Sequence, residues 1–170
     1  IGGGTTDIAV IDHGVVAGTK MFAFGGRVFT KRIANDLHKE FNTAEDLKLD
    51  YANSKLPPKQ NVEIRQALAK DMAVWAEGVE LGLKEIEDVD SYPLNIFICG
   101  GASALPEIKQ ALLEHPWLQV LSFTKFPRVE FLYPKQLEDI NDETRSINDP
   151  ADITPLSVAR MILENNNGSK

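Results

Sequence analysis

A stripe of apolar side chains most constrains what this chain can fold into. Ile64, Leu68, Met72, Trp75, Val79, Leu83 and Ile86 recur at spacings of three and four, the period of one face of an α-helix. A long helix cannot leave such a stripe in water, so the flanking sequence must supply the surface that covers it. Before it, Thr5 to Ile11 and Val15 to Ala23 are rich in β-branched residues and joined by Asp12-His13-Gly14, the pattern of a strand hairpin. After it, Leu94 to Cys99 is a short continuous apolar run of the kind found in buried strands. Gly100-Gly101-Ala102-Ser103 then turns the chain into a helix from Pro106 to Glu114, with Pro106 in its first turn.

The remaining elements follow from weaker signals. Gly25-Gly26 opens a helix read over Arg27–Phe41, because Phe29, Ile33, Leu37 and Phe41 recur every four residues. Thr43, with Asp46 three residues on, reads as the cap of a short helix reaching Ala52. Asn53 to Gln60, with Pro57-Pro58, is the clearest break, and Glu80 and Lys84 can pair on the outer face of the long helix. Leu118–Phe123 and Val129–Tyr133 read as edge strands, and Pro134–Asp152 as an acidic loop. A last helix is expected from Thr154 as cap, through Pro155, to Glu164, with a frayed tail over Asn165–Lys170. Strands alternating with helices make this an α/β chain.

Composition narrows the function. With 170 residues, 43% hydrophobic and 25% charged, the chain can bury one sizeable core or two small ones. A net charge of −7 argues against nucleic acid as the main partner. Cys99 is the sole cysteine, so no internal disulfide forms, and a reducing cytoplasm is the expected setting. No apolar run reaches the roughly 20 residues of a membrane-spanning helix. His13, His38 and His115 are scattered without metal-ligand spacing and read as surface or capping residues, while Cys99 lacks a histidine partner and reads as a small hydrophobe.

Three motifs carry chemistry. Gly2-Gly3-Gly4-Thr5-Thr6-Asp7 can bring backbone N–H groups and hydroxyls to a polyphosphate, with Asp7 holding a metal-bound water or ordering the turn. It matches neither the P-loop nor GxGxxG, and a plain glycine turn would look the same. Gly100-Gly101-Ala102-Ser103 follows a strand, where ligands of open α/β sheets collect, though tight turns without ligands are common there. Glu45 and Lys48, three apart on a short helix, can take a ribose hydroxyl and the edge or face of a purine. Taken alone, they read as a surface ion pair worth a few tenths of a kcal/mol.

In this order, Ile-Gly-Gly-Gly-Thr-Thr-Asp-Ile-Ala-Val, a hairpin, Gly-Gly before a helix, Ala-Glu-Asp-Leu-Lys and Cys-Gly-Gly-Ala-Ser closely resemble the actin-like ATPase superfamily, and within it FtsA-type cell-division proteins. The resemblance implies a ribonuclease H-like α/β fold of which this chain is the second half, cut at Ile1. It implies a mixed sheet built from the hairpin, a strand near Phe24, the Leu94–Cys99 strand and an edge strand, with flanking helices. Residues 1–43 and 94–170 would form the sheet subdomain, and 44–93 a reduced helical clasp over the nucleotide.

The expected cofactors are ATP and Mg2+, held by Gly2, Gly3, Gly4, Thr5, Thr6, Asp7, Glu45, Lys48, Gly100, Gly101, Ala102 and Ser103, with Asp7 toward the metal. Expected partners are further copies in a filament and a protein of the division or assembly machinery. The membrane would be reached only through parts outside this chain, from the cytoplasmic side. At most a slow ATPase is implied for the full-length protein, and none for this piece. A PilM-type assembly scaffold, and a sugar kinase or Hsp70-like ATPase, stay open as alternatives. Two departures stand out: Arg32 occupies a position where FtsA-type proteins carry an acid, and the segment between Ala52 and Val62 is short for the family.

Overall fold

A computed structural model of the chain describes residues 1–87, 89–137, 142–143 and 145–167. In order, these form β1 (Thr6–Asp12), β2 (Val15–Phe22), α1 (Gly26–Asp36), α2 (Phe41–Ala52), α3 (Pro58–Lys84), β3 (Asn95–Ile98), α4 (Pro106–Glu114), α5 (Trp117–Val120), β4 (Arg128–Phe131) and α6 (Ile153–Asn167). The expected hairpin, long helix, Leu94–Cys99 strand and Pro106 helix are all present, but the strand is not a buried one: Leu94 and Phe97 are exposed and, within β3, Ile98 alone is buried.

β1 and β2 pair antiparallel, with a register irregularity between Val10 and Ile11. Their turn places His13 at φ 49 and Gly14 at φ 79, two consecutive left-handed residues, as tight hairpins require. One face of the hairpin rests on α3, and glycines on both elements set how closely. A Cβ at Gly78 would lie 2.9 Å from the Phe22 ring, and one at Gly82 would lie 2.8 Å from Ile8 Cδ1. On the hairpin side, a Cβ at Gly18 would lie 2.6 Å from Ile86. Each helical glycine costs about 0.5–1 kcal/mol relative to alanine, and the close seating of the hairpin on the stripe offsets that. Ile64, Leu68, Trp75 and the rest of the stripe are buried together with Phe29, Ile33, Ile108, Leu112 and Trp117 in one cluster.

The helix read through to Phe41 ends at Asp36. His38 adopts φ 50 and Lys39 N donates to Ala34 O at 2.9 Å, a left-handed cap that ordinarily uses glycine. Phe41 therefore opens α2, whose cap is extended Glu40, with its carbonyl accepting from Ala44 N at 2.9 Å. Thr43 lies inside that helix and caps nothing. Ser54 at φ 56 and Lys55 N on Asp50 O at 2.8 Å close α2 in the same way.

Among the described residues, the strands form two two-stranded sheets, β1-β2 antiparallel and β3-β4 parallel, and Phe24 lies in no strand. The α/β class and both senses of pairing hold, but no pairing joins the two sheets. Leu118–Phe123 is not a strand. Trp117 is fully buried, its indole N–H donates to Leu112 O at 2.7 Å, and the chain coils into α5 around it. Phe123 makes only an isolated bridge to Tyr92. Before α6 a short 3₁₀ turn over Pro150–Asp152 is capped by Asp149, which accepts from Ala151 N at 2.8 Å, so Thr154 lies within α6. α6 runs on to Asn167, three residues past the expected end at Glu164 and into the segment read as a frayed tail. Residues 138–141 and 144 of the acidic loop and 168–170 of the tail lie outside the described residues.

Several polar contacts tie the helices together, among them Lys70 of α3 on Asp36 of α1 at 2.7 Å. Arg32 reaches Asp71 on α3 through Nη2 at 2.7 Å and Nε at 3.0 Å, so the unexpected cation on α1 has a partner. Glu80 pairs with Lys84 as expected and also meets His115 Nε2 at 2.7 Å. Of the histidines read as surface or capping residues, His115 is the C-cap of α4, and its side chain, 9% exposed, packs on the Trp117 ring.

Replacing Gly78 by Val is expected to destabilise the chain by about 1–3 kcal/mol, the usual cost of overpacking. Leu81→Ala, on the exposed face of the same helix, should stay within about 0.5 kcal/mol. Urea midpoints of the two variants check this.

Candidate functional site

The glycine turns marked in the sequence meet at one place. Ile1 runs beside the end of β3: its nitrogen donates to Cys99 O at 2.7 Å, and Ala102 N donates to Ile1 O at 3.2 Å. Gly100 turns there at φ 91, and a Cβ on it would lie 2.4 Å from Ile1 O. Gly25 closes in from the other side, where a Cβ would lie 2.6 Å from Gly2 O and 2.8 Å from Thr5 N. Only residues without a Cβ let these backbones approach so closely.

The loop's hydrogen bonds decide which way it faces. Gly26 N donates to Gly2 O at 2.9 Å and Arg27 N to Gly3 O at 2.8 Å. First-turn N–H groups have no acceptor within their own helix, and α1, which has no side-chain cap, takes these loop carbonyls instead. No peptide here is cis, and in a trans peptide the C=O and the following N–H point in opposite directions. The Gly3 and Gly4 N–H groups therefore point away from α1. Both residues are exposed, and neither N–H has an acceptor among the described residues. No atom comes within 4 Å of a Cβ built on Gly4 or Gly101, so open space lies over both turns. Outward amides with room above them fit an anionic ligand.

α2 forms the third wall. Lys48 is 6% exposed, and its Nζ donates to Gly26 O at 3.0 Å, Thr30 Oγ1 at 2.8 Å and Glu45 Oε2 at 2.8 Å. All three ammonium hydrogens are thus engaged within the protein. The Thr30 hydroxyl lies against both Gly26 O and the Glu45 carboxylate, and the Glu45 side chain stays about one-third exposed at 34%. Burial pushes the Glu45 pKa up, but hydrogen bonds from Lys48 and Thr30, with the charges of Lys48 and Arg27, outweigh it and hold the group below its ordinary value. One turn further on, Tyr51 donates to the buried Glu107 of α4. Burial and that carboxylate keep the phenol protonated well above its usual range.

The other sequence-marked residues divide between the open face and the interior. Asp7 is exposed and accepts from Thr5 Oγ1 at 3.0 Å. Thr6 is buried, its hydroxyl accepting from Trp75 Nε1 at 2.9 Å and donating to Phe24 O at 2.7 Å. Ser103 is buried with its hydroxyl on Gly100 O at 2.7 Å, and Ala102 packs against Gly26. Among the described residues no group of three or more His, Cys, Asp or Glu could by itself hold a metal. A magnesium ion here would depend on a ligand's phosphate oxygens beside Asp7. Sequence reasoning missed Thr30 and Arg27. The signals were a β-branched hydroxyl four residues after Gly26, able to bond back to its carbonyl, and a cation directly after Gly-Gly.

The family model for the cell division protein FtsA matches residues 1–154. The cell division protein FtsA of Neisseria meningitidis serogroup B is 41% identical over 51 residues, covering 30% of this chain and 12% of that protein. The cell shape-determining protein Mbl of Bacillus subtilis is 28% identical over 151 residues, covering 71% of this chain and 45% of Mbl. The chain thus spans less than half the length of either. Among solved structures, the ethanolamine utilization protein EutJ of Carboxydothermus hydrogenoformans superposes with a TM-score of 0.56 at 25% identity, over 76% of this chain and 42% of EutJ. A chain of the PilM-PilN type IV pilus biogenesis complex gives a TM-score of 0.52 at 18% identity, over 82% of this chain and 38% of that one, and shows the fold alone.

Lys48→Met should cost about 3 kcal/mol, since it leaves the acceptors of a buried cation without a donor. Because the Glu45 pKa is lower folded than its ordinary 4.5, its ionised form stabilises the fold above that value. That contribution is lost as pH falls below about 4.5 toward the folded value. Glu45→Gln should flatten this acid limb, read as urea midpoints between about pH 6 and about pH 3.

Proposed function

We propose, from the premise that this chain belongs to the FtsA family of cell division proteins, that it forms one wall of an ATP site whose occupancy governs assembly of an actin-like scaffold. Its fold is that of the actin-like ATPases, and its family and relatives mark an actin-like cell-division or cytoskeletal protein. The observation that carries the nucleotide reading is the loop whose carbonyls cap α1 and whose Gly3 and Gly4 amides face open space.

In this reading the N–H groups of Gly3, Gly4 and Thr5 would hold the outer phosphates. The backbone at Gly100, Gly101 and Ser103 would face the adenosine and the first phosphate. Glu45 would accept from the ribose hydroxyls or purine edge, and Lys48, with every donor engaged, would hold Glu45 in place. Asp7 would orient a magnesium-bound water. Bound ATP with magnesium supplies a polyanion and a divalent charge that can draw two walls together, and this chain's share is to position them. Residues 44–93 would act as the clasp and 1–43 with 94–170 as the sheet body. Self-association, a division-machinery partner and a place at the inner membrane face belong to the same proposal. No described helix is long and apolar enough to cross a membrane; in this reading, contact with the membrane comes through parts outside this chain.

Isothermal titration with ATP and magnesium tests the reading. The chain should bind weakly, with Kd about 0.1–1 mM or about −5 kcal/mol, and the full-length protein more tightly. Gly4→Asp, which sets a carboxylate in the open space, should abolish binding in both. Silence from the full-length protein would overturn the reading, and micromolar binding by this chain alone would overturn the shared site.

A further inference from the structure

We infer that Arg27 is the phosphate-side cation of this site, gripping the polyphosphate against the Gly3–Thr5 amides and so selecting ligands by their phosphate charge. The inference rests on the nucleotide reading above and assigns a residue that the sequence motifs did not single out.

Three observations converge on it. The Arg27 backbone is tied to the loop through its N–H on Gly3 O at 2.8 Å, so residue 27 cannot move independently of the cradle. Its side chain lies along Gly3: Nε is 3.8 Å and Cγ 4.0 Å from where a Gly3 Cβ would stand. At those distances a Cβ would make only ordinary van der Waals contact, so the stem runs beside the loop without depending on the glycine. Finally, the guanidinium is exposed and, among the described residues, makes no salt bridge or side-chain hydrogen bond. It still lies close enough to Glu45 to help hold that carboxylate ionised.

The neighbouring charges show why this position matters. Asp7 and Glu45 put two carboxylates on the rim, in a chain of net charge −7. Lys48 is buried with its three hydrogens engaged, and Arg32 is bidentate on Asp71. Backbone amides alone would have to draw a polyanion past two acids. Arg27 is the cation beside the loop with donors to give, and its planar fork suits two phosphate oxygens at once.

The test uses Arg27→Met and Arg27→Lys in the full chain, with Gly3 and Gly4 amide NMR shifts titrated against ATP, inorganic tripolyphosphate and adenosine. Arg27→Met should weaken ATP and tripolyphosphate about ten-fold or more, the loss expected for a charge-assisted pair, and leave adenosine unchanged. Arg27→Lys, which keeps charge but not the fork, should fall between. Equal ATP affinity in Arg27→Met, or an equal loss for adenosine, overturns the inference. Arg27-dependent tripolyphosphate binding without any adenosine binding would keep it and overturn the nucleotide reading instead. Adenosine and ATP binding indifferent to residue 27 would do the reverse, and a wild-type chain that binds none of the three would overturn both.

Discussion

The site depends on how α1 begins. A helix starts with N–H groups it cannot satisfy itself, and here no side chain caps them. The carbonyls of Gly2 and Gly3 do so instead. Each such bond contributes only about 1 kcal/mol net, but its directional consequence is larger. Once those carbonyls are fixed in α1, peptide planarity aims the Gly3 and Gly4 amides outward without any further constraint. The glycine at position 25 makes this possible, because a Cβ there would strike Gly2 O and Thr5 N. Capping a helix and turning the loop's Gly3 and Gly4 amides outward are, in this chain, the same event.

A hydrogen-bond relay links the core to that loop. Trp75, on the stripe that organises the whole fold, donates to Thr6, and Thr6 donates to Phe24 O. The two ends of the hairpin, one leading from the glycine loop and the other into Gly25, are thereby pinned by a residue 69 positions away from Thr6. A buried indole N–H must find an acceptor, so packing α3 on the sheet also sets the loop's span.

What the sequence disclosed follows from which signals are local. The stripe from Ile64 to Ile86, the Asp12-His13-Gly14 turn and Pro106 in a first helical turn were all legible, because period and turn chemistry act within a few residues. By contrast, α3 begins at Pro58, inside the segment read as a break through Gln60. The break between α1 and α2 was not, since Phe41 continues the fourfold spacing and the left-handed cap falls on His38 rather than on a glycine. Strand pairing was also hidden. Asn95–Ile98 reads as a strand, but nothing in its own residues says that, among the described residues, it pairs with Arg128–Phe131 and not with the hairpin. In the site, glycines announce themselves by composition. The partners that complete Lys48, namely Gly26 O and Thr30, come from another helix, and no spacing rule on α2 reveals them.

Lys48 and Arg27 show how depth, not residue type, assigns roles to two cations a short distance from one loop. A buried ammonium left without acceptors would cost several kcal/mol, so every Lys48 donor must be satisfied by the fold before any ligand arrives. It can then organise Glu45 and Gly26 but has nothing left to offer a guest. Arg27 stays exposed at the rim, where the proposed site would take phosphate oxygens. An i,i+3 acid–base pair in a sequence invites the assumption that both members face the ligand. Here burial separates them, leaving the acid at the rim and turning the base into the peg that holds it there.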